Sequence, residues 1–373
     1  MSDGAFDPRA VLAALARYPR LVLAGVRVAV VGGFVRDVWL GSEPRELDLV
    51  VEGDAAALAA TLGGEVTAHE AFGTATATGT GWRVDLAMAR RERYPAPGAL
   101  PEVEPASIEE DLARRDFTVN AIAVTLPGGG LLAADHALED LAARRLRVLH
   151  ERSFIDDPTR VLRLARYAQR LGFEIEPITA RLAQQASLQT VSGGRIGAEL
   201  RLILAEGDPL AVLEHVADKL PVAVDRHLVE GALALAPSDS DSAMLVLGAV
   251  VTENAWLDGL ELTARERDVA LACTATHVPA DRTASGLWHA WHAVPVEAVA
   301  VAGARENAHA AWWWIETLRH VRLEIGGDDL LAAGLSEGPQ IGRRLERTLA
   351  AKLDGELADG RERELQYALE LDA

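Results

Sequence analysis

Cysteine is almost absent from this chain: Cys273 is the only one. An intrachain disulfide and a cysteine-based metal cluster are therefore excluded, and a cytoplasmic location is expected. Lysine is nearly as scarce, with only Lys219 and Lys352, so positive charge is carried almost wholly by arginine. Long apolar runs are lacking too. The stretch from Leu21 to Val35 contains Arg27 and three glycines and is too short to span a bilayer. The N-terminus carries Asp3 and Asp7 and has no basic region followed by an apolar core, so no secretory signal and no membrane partner are expected. Net charge is −19, which argues against strong non-specific nucleic-acid binding. The deficit is uneven. Over residues 111–210, 13 arginines balance 13 acidic residues, whereas residues 211–373 hold 14 basic against 27 acidic residues. Weak, quickly released RNA binding fits that distribution.

What is present is a globular composition, 49% hydrophobic and 25% charged. At 373 residues, several packed subdomains are expected. The first informative stretch is Val30-Val31-Gly32-Gly33-Phe34-Val35-Arg36-Asp37, followed by Glu46-Leu47-Asp48-Leu49-Val50-Val51. Side chains alternate along a strand, so Glu46 and Asp48 share one face while Leu47 and Leu49 share the other. Adjacent carboxylates repel unless a cation joins them, and Mg²⁺ held by carboxylates and substrate phosphates is the expected occupant. Gly32 and Gly33 let backbone approach a triphosphate, and Arg36 can clamp it. Taken singly, a Gly-Gly pair is also an ordinary turn, and an acidic pair is also ordinary surface.

Two further stretches carry arginine in ordered spacing. In Glu109-Glu110-Asp111-Leu112-Ala113-Arg114-Arg115-Asp116-Phe117-Thr118-Val119-Asn120-Ala121, the two arginines offer fork-shaped donors for phosphate. Asp116 can accept from a ribose hydroxyl. In Asp156-Asp157-Pro158-Thr159-Arg160 through Gly172-Phe173, Pro158 suits a first helical turn. Val161, Leu164, Ala165, Ala168 and Leu171 form an apolar stripe, with Arg160, Arg163, Arg166 and Arg170 beside it. Asp157 and Arg160, three residues apart, are expected on one helical side. The alternative is an amphipathic helix with a basic solvent face. Phe72 to Ala75 and Trp82 to Ala87 read as two strands around a glycine turn, with Asp85 as a possible third carboxylate. Arg90 to Glu104, with Tyr94-Pro95-Ala96-Pro97-Gly98, reads as a loop.

The ordered combination resembles class II of the nucleotidyltransferase superfamily, the branch of tRNA CCA-adding enzymes and bacterial poly(A) polymerases. That family reads Gly-Gly-x-Val-Arg-Asp, a leucine-rich stretch with glycine (here Gly41), then Asp-x-Asp. This chain has Glu46 at the first acidic position, one methylene longer. Asp111 to Ala121 is close to the family's Asp-Leu-x-Arg-Arg-Asp-Phe-Thr-x-Asn-Ala motif, which contacts the ribose and phosphates. Asp156 to Arg160 resembles the Glu-Asp-x-x-Arg motif, whose Asp and Arg template the incoming base. The resemblance puts that role on Asp157 and Arg160. Cytosine and adenine both present an exocyclic amine beside a ring-nitrogen acceptor. A carboxylate and a guanidinium pair with that pattern, while uracil and guanine leave both unpaired. Arg195-Ile196-Gly197-Ala198-Glu199-Leu200 resembles the family's last signature, and in the family a loop like Arg90 to Glu104 is mobile and shapes nucleotide choice.

The resemblance implies an α+β fold: a nucleotidyltransferase head with a mixed sheet over 1–145, a helical neck with the template helix over 146–210, and a helical, tRNA-binding body and tail over 211–373. It implies Glu46 and Asp48 as catalytic Mg²⁺ ligands. It implies nucleotide binding by Gly32, Gly33, Arg36, Arg115, Asp116, Asp157, Arg160, Arg163 and Arg166. The expected reaction adds C and A from CTP and ATP to a tRNA 3′ end, with pyrophosphate leaving. A poly(A) polymerase, a CC-only or A-only enzyme, and a non-catalytic RNA-binding relative share these signatures. The C-terminal part reads as helical from Ala211 to Leu247 and again from Gln340 to Leu371. Trp312-Trp313-Trp314 reads as core packing rather than a base-stacking platform, and His289 and His292 as ordinary histidines rather than metal ligands.

Overall fold

A computed structural model describes residues 6–19, 25–44, 46–69 and 73–371. The chain divides into two compact units, one of residues 1–199 with 206–208 and one of 200–205 with 209–373. The first is built on β1 (Val28–Val31), β2 (Leu47–Val51), β3 (Glu65–His69), β4 (Thr74–Gly79), β5 (Trp82–Met88), β8 (Ile122–Leu126) and β9 (Leu131–Ala133). These form a seven-stranded mixed sheet in the order β3-β4-β5-β2-β1-β8-β9. Of its pairs, β2/β5 is parallel and the others are antiparallel. All four residues of β1 are buried, as the unbroken Val-Ala-Val-Val run requires of a central strand. The run Leu47–Val51 is buried except at Asp48, which is half-buried between two buried leucines.

Ser107 and Glu110 close a capping box on α4 (Ile108–Ala113). Ile108 and Leu112 of that helix cluster with Ala29, Val31, Val50 and Ala123 of the sheet. Small alanines let the helix approach closely, and its end delivers Arg114 and Arg115 to the face that Asp48 shares with Val50. Helices α1 (Pro8–Ala14), α2 (Gly33–Trp39), α3 (Ala55–Ala60) and α5 (Ala137–Ala142) also belong to this unit. After β10 (Arg145–Leu146) come α6 (Ser153–Asp156), α7 (Arg160–Leu171), β11 (Glu174–Ile175), α8 (Pro177–Gln185) and α9 (Gly193–Leu204).

Two expectations change. Residues 90–104 are not only loop: β6 (Arg90–Arg93) pairs antiparallel with β7 (Glu102–Pro105). The strands carry no apolar alternation. Cross-strand charge replaces it, with Arg93 opposite Glu102 at 2.8 Å and Arg91 opposite Glu104 at 3.8 Å. Secondly, Asp157 and Arg160 do not share a helix. Asp157 follows α6 in an extended conformation, φ −131°, and α7 begins at Arg160. The Asp157 carboxylate accepts from the Thr159 amide at 3.0 Å and its hydroxyl at 2.6 Å, and that turn breaks the helix. The expected strands around Asp85 appear as β4 and β5, while Phe72 lies outside the described residues.

The second unit is helical. Glycines allow close helix approach: a Cβ on Gly248 would lie 2.5 Å from the Cys273 Cβ, and one on Gly303 2.2 Å from that of Ala311. Trp314 is buried edge-on against Trp291, whereas Trp312 is exposed. Among the described residues no helix is long and apolar enough to cross a membrane.

Candidate active site

The chain leaves β1 through Gly32 at φ +66°, a conformation that L side chains rarely adopt. A Cβ there would sit 2.9 Å from Arg115 Nη1. Gly32 therefore serves two needs, the turn and the space for a guanidinium. It borders a cavity of about 450 Å³ inside the first unit, lined in part by Gly32, Gly33, Asp48 and Arg115.

Asp48 lies on β2 with Asp85 as its register partner on β5. Burial pushes the Asp48 carboxyl up to about 6. Asp85 and Glu46 add to that push, and Arg115 and Arg36 oppose it. No described residue hydrogen-bonds this carboxylate. Asp85 is engaged, accepting from the Thr76 hydroxyl at 2.5 Å and from Arg83 at 3.0 and 3.1 Å. Glu46 stands exposed just before β2 rather than within it. The donor set fits a hard divalent cation: an unpartnered carboxylate whose acidic neighbours destabilise its charge. No group of three or more His, Cys, Asp or Glu among the described residues converges as a metal cage. A cation here would draw its remaining ligands from phosphate and water.

Arg36 is turned away from the cavity. It is buried, pairs with Asp37 at 2.7 Å and donates to Asn120 Oδ1 at 2.6 Å. The clamp expected of Arg36 is thus a brace between α2 and the segment after α4 in this structure. Arg115 remains at the cavity wall. One nitrogen donates to buried Asp111 at 3.1 Å, and its Nε is buried without a partner. Against the upward push of burial, Arg115 and Arg114 keep the Asp111 carboxyl below its ordinary value.

Asp116 also lines the cavity, but its oxygens are occupied. Oδ2 accepts from Arg163 at 2.6 and 2.9 Å, and Oδ1 from the Phe117 amide at 2.8 Å and Asn120 at 3.0 Å. Burial pushes its carboxyl up, yet Arg163 and Asn120 hold it well below the usual range. A ribose hydroxyl would have to displace one of these donors. Arg163 lines the cavity; Arg166 does not, being buried against Glu199 at 3.4 Å and Glu206 at 3.7 Å. The basic face of α7 is therefore an internal ion-pair row rather than a solvated stripe. Tyr167 sits within it, with the guanidinium carbons of Arg36, Arg163, Arg166 and Arg170 5.2–5.9 Å from its ring centre.

Asp157 and Arg160 also line the cavity. Arg160 is buried. It donates to the Ser153 hydroxyl at 2.7 Å and to the Arg114 carbonyl at 2.8 Å, leaving three of its five N–H groups. Sequence reasoning missed a further part of the cavity wall. Glu92 and Tyr94 line it, the Tyr94 hydroxyl donating to Glu92 at 2.9 Å, and Glu92 pairing with Arg114 at 2.9 Å. Burial, with Glu92 beside it, raises the Tyr94 phenol. The alternation Arg90-x-Glu92-x-Tyr94 was the available signal, since period two puts all three on one strand face.

Residues 28–147 match the family described as Poly A polymerase head domain. An A-adding tRNA nucleotidyltransferase of Geobacter sulfurreducens is 34% identical over 92% of this chain and 45% of its own. A CC-adding tRNA nucleotidyltransferase of Deinococcus radiodurans is 44% identical over 49% of this chain and 51% of its own. The chain spans about half the length of these curated relatives. A solved Thermotoga maritima CCA-adding enzyme, complexed with tRNA, is 30% identical, with a TM-score of 0.71 over 93% of this chain and 91% of that one. A CCA-adding enzyme in an apo form reaches a TM-score of 0.77 at 29% identity, over 93% and 92%. Sheet, cavity and likeness define a nucleotidyltransferase. Within that class the chain belongs to the family of CCA-adding enzymes and bacterial poly(A) polymerases.

Proposed function

We propose that the chain adds C and A units from CTP and ATP to the 3′ end of tRNA and releases pyrophosphate. One observation carries this reading: a single cavity is lined both by the unpartnered Asp48 and by the Asp157/Arg160 pair. Asp48 with Arg115 suits a triphosphate, and the Asp157/Arg160 pair suits a base edge. The RNA 3′ oxygen forms a bond to the α-phosphorus, and the bond to the β-phosphate bridge breaks. Asp48 and Glu46 are the residues that would hold Mg²⁺, which when bound supplies Lewis-acid charge to the triphosphate. Arg115 faces the same phosphates. Asp157 offers its second carboxylate oxygen to an exocyclic amine, and Arg160 donates a spare N–H to the ring nitrogen. Arg36, Asp116, Arg163 and Arg166 act by bracing this arrangement. The head, neck, and body with tail divide at 145/146 and 210/211 in this reading, with tRNA carried by the last region.

A-only addition is the second reading, favoured by A-adding relatives at 34%, 44% and 45% identity. The test uses three tRNA transcripts, ending at the discriminator base, at C and at CC, each with CTP alone, with ATP alone and with both together. Growth of all three to CCA is expected. Extension of the CC-ended transcript alone would replace the proposal with A-only addition. Long A tails on unstructured RNA would replace it with polyadenylation.

A further inference from the structure

The base-reading pair leaves one guanidinium of the cavity's surroundings unaccounted for. Arg195, near the start of α9, donates through Nη2 to Asp157 Oδ1 at 2.7 Å and through Nη1 to the Gly98 carbonyl at 2.7 Å. Both partners of the ion pair are mostly buried, with 23% and 20% of their side chains exposed, so solvent screens it little. Gly98 is itself seated firmly. Its amide donates to the Ile155 carbonyl at 3.2 Å, its φ is +71°, and a Cβ would lie 2.4 Å from Thr190 Oγ1. Asp157 Oδ1 already accepts from the Thr159 amide and hydroxyl. With Arg195 added, that oxygen is fully occupied, and Oδ2 is left as the acceptor at the cavity wall.

We infer that Arg195 is a positioning residue for base choice, joining the seat of Gly98 to the orientation of Asp157. The inference rests on the base-reading role proposed above. It follows from geometry: a planar fork can serve two acceptors at fixed angles, which an ammonium cannot. When Gly98 is seated, the fork is anchored from behind and the carboxylate is held in one rotamer. When Gly98 is displaced, Arg195 loses its second acceptor and Asp157 is free to turn. Base selectivity is thereby tied to a glycine that does not line the cavity.

The test measures kcat and KM for CTP against UTP and for ATP against GTP on tRNA transcripts, with equilibrium binding of the same nucleotides and thermal melting alongside. Asp157→Asn, Arg195→Ala, Arg195→Lys, Gly98→Ala and the double variant Asp157→Asn/Arg195→Ala are compared with the unaltered chain. Arg195→Ala is expected to lower selectivity for the preferred nucleotide about tenfold, the scale of one lost charge-assisted hydrogen bond, mainly through KM. Arg195→Lys should fall between. Gly98→Ala should lower the same ratio although Arg195 is intact. The double variant should be no less selective than Asp157→Asn alone. If Asp157→Asn changes the ratio while Arg195→Ala and Gly98→Ala do not, the inference is overturned and Arg195 is only structural. If Asp157→Asn leaves the ratio unchanged, the base-reading role fails first and this inference falls with it. Should Arg195→Ala not fold, Arg195→Lys and Gly98→Ala decide.

Discussion

Asp48 gives the most direct test at the scale of one residue. Its carboxyl is raised to about 6 against an ordinary value of 3.8, so the folded chain holds a proton that the unfolded chain has released between those two pH values. Its charge therefore destabilises the fold above pH 6, and that cost disappears below about pH 4. Without divalent cation, Asp48→Asn should stabilise the first unit on the order of 1–3 kcal/mol at pH 8. The gain should shrink as pH falls, and nucleotide incorporation should be lost. Melting curves across pH with a single-turnover assay check both; a variant that is destabilised at pH 8 would refute the assignment. Arg36 gives the opposite case. Its buried bonds to Asp37 and Asn120 make Arg36→Ala a stability variant, expected to cost about 3 kcal/mol in urea unfolding. A change in KM alone would restore the phosphate clamp. Asp48, Gly32 and Gly33 were legible in the sequence because their chemistry is local. The partners of Arg36 and Asp116 were not, since Asn120 lies 84 residues from Arg36 and Arg163 lies 47 from Asp116.

At the scale of the element, the strand–glycine–helix turn and the β6/β7 hairpin behave differently. Gly32→Ala combines a positive-φ strain of about 1–3 kcal/mol with a clash against Arg115. At least a tenfold drop in kcat/KM is expected, with CTP and UTP affected alike, because the added Cβ meets Arg115 and not Asp157 or Arg160. A loss confined to one nucleotide would contradict that division. Glu92 of the hairpin is buried against Arg114, but the pairs that join the two strands are exposed: Arg93 and Glu102 are 79% and 59% exposed, Arg91 and Glu104 57% and 72%. Such pairs weaken within a few tenths molar salt. Amide exchange in residues 90–105 should quicken from 0.05 to 0.5 M NaCl, and that of β1, β2 and β8 should not. Equal protection at both salts would mean that another contact holds the hairpin. This charge ladder also hides the strands in the sequence: apolar alternation marks a half-buried strand, and here opposite charge across the pair stands in its place. The strands at Val28–Val31 and Trp82–Met88 were legible because burial wrote them in apolar residues.

At the scale of the whole molecule, net charge sets how RNA is held. Net charge is −19, and among the described residues the arginines of α7, Arg163, Arg166 and Arg170, are held by Asp116, Glu199 and Glu206 rather than left for phosphates. Its tRNA affinity should fall with salt along a log–log slope shallower than about −5, roughly one unit per phosphate contact. Filter binding from 0.05 to 0.3 M NaCl measures this, and a slope near −10 would show a basic surface that these pairings conceal. The sheet order has a consequence for how the molecule is made. Strand β1 is hydrogen-bonded on one side to β2 and on the other to β8, which ends at Leu126. On the ribosome its second edge stays open until residue 126 has emerged, and Val28–Val31 is an apolar, uncharged edge of the sort that captures other chains. An interior strand of the finished sheet is thus an exposed edge during synthesis.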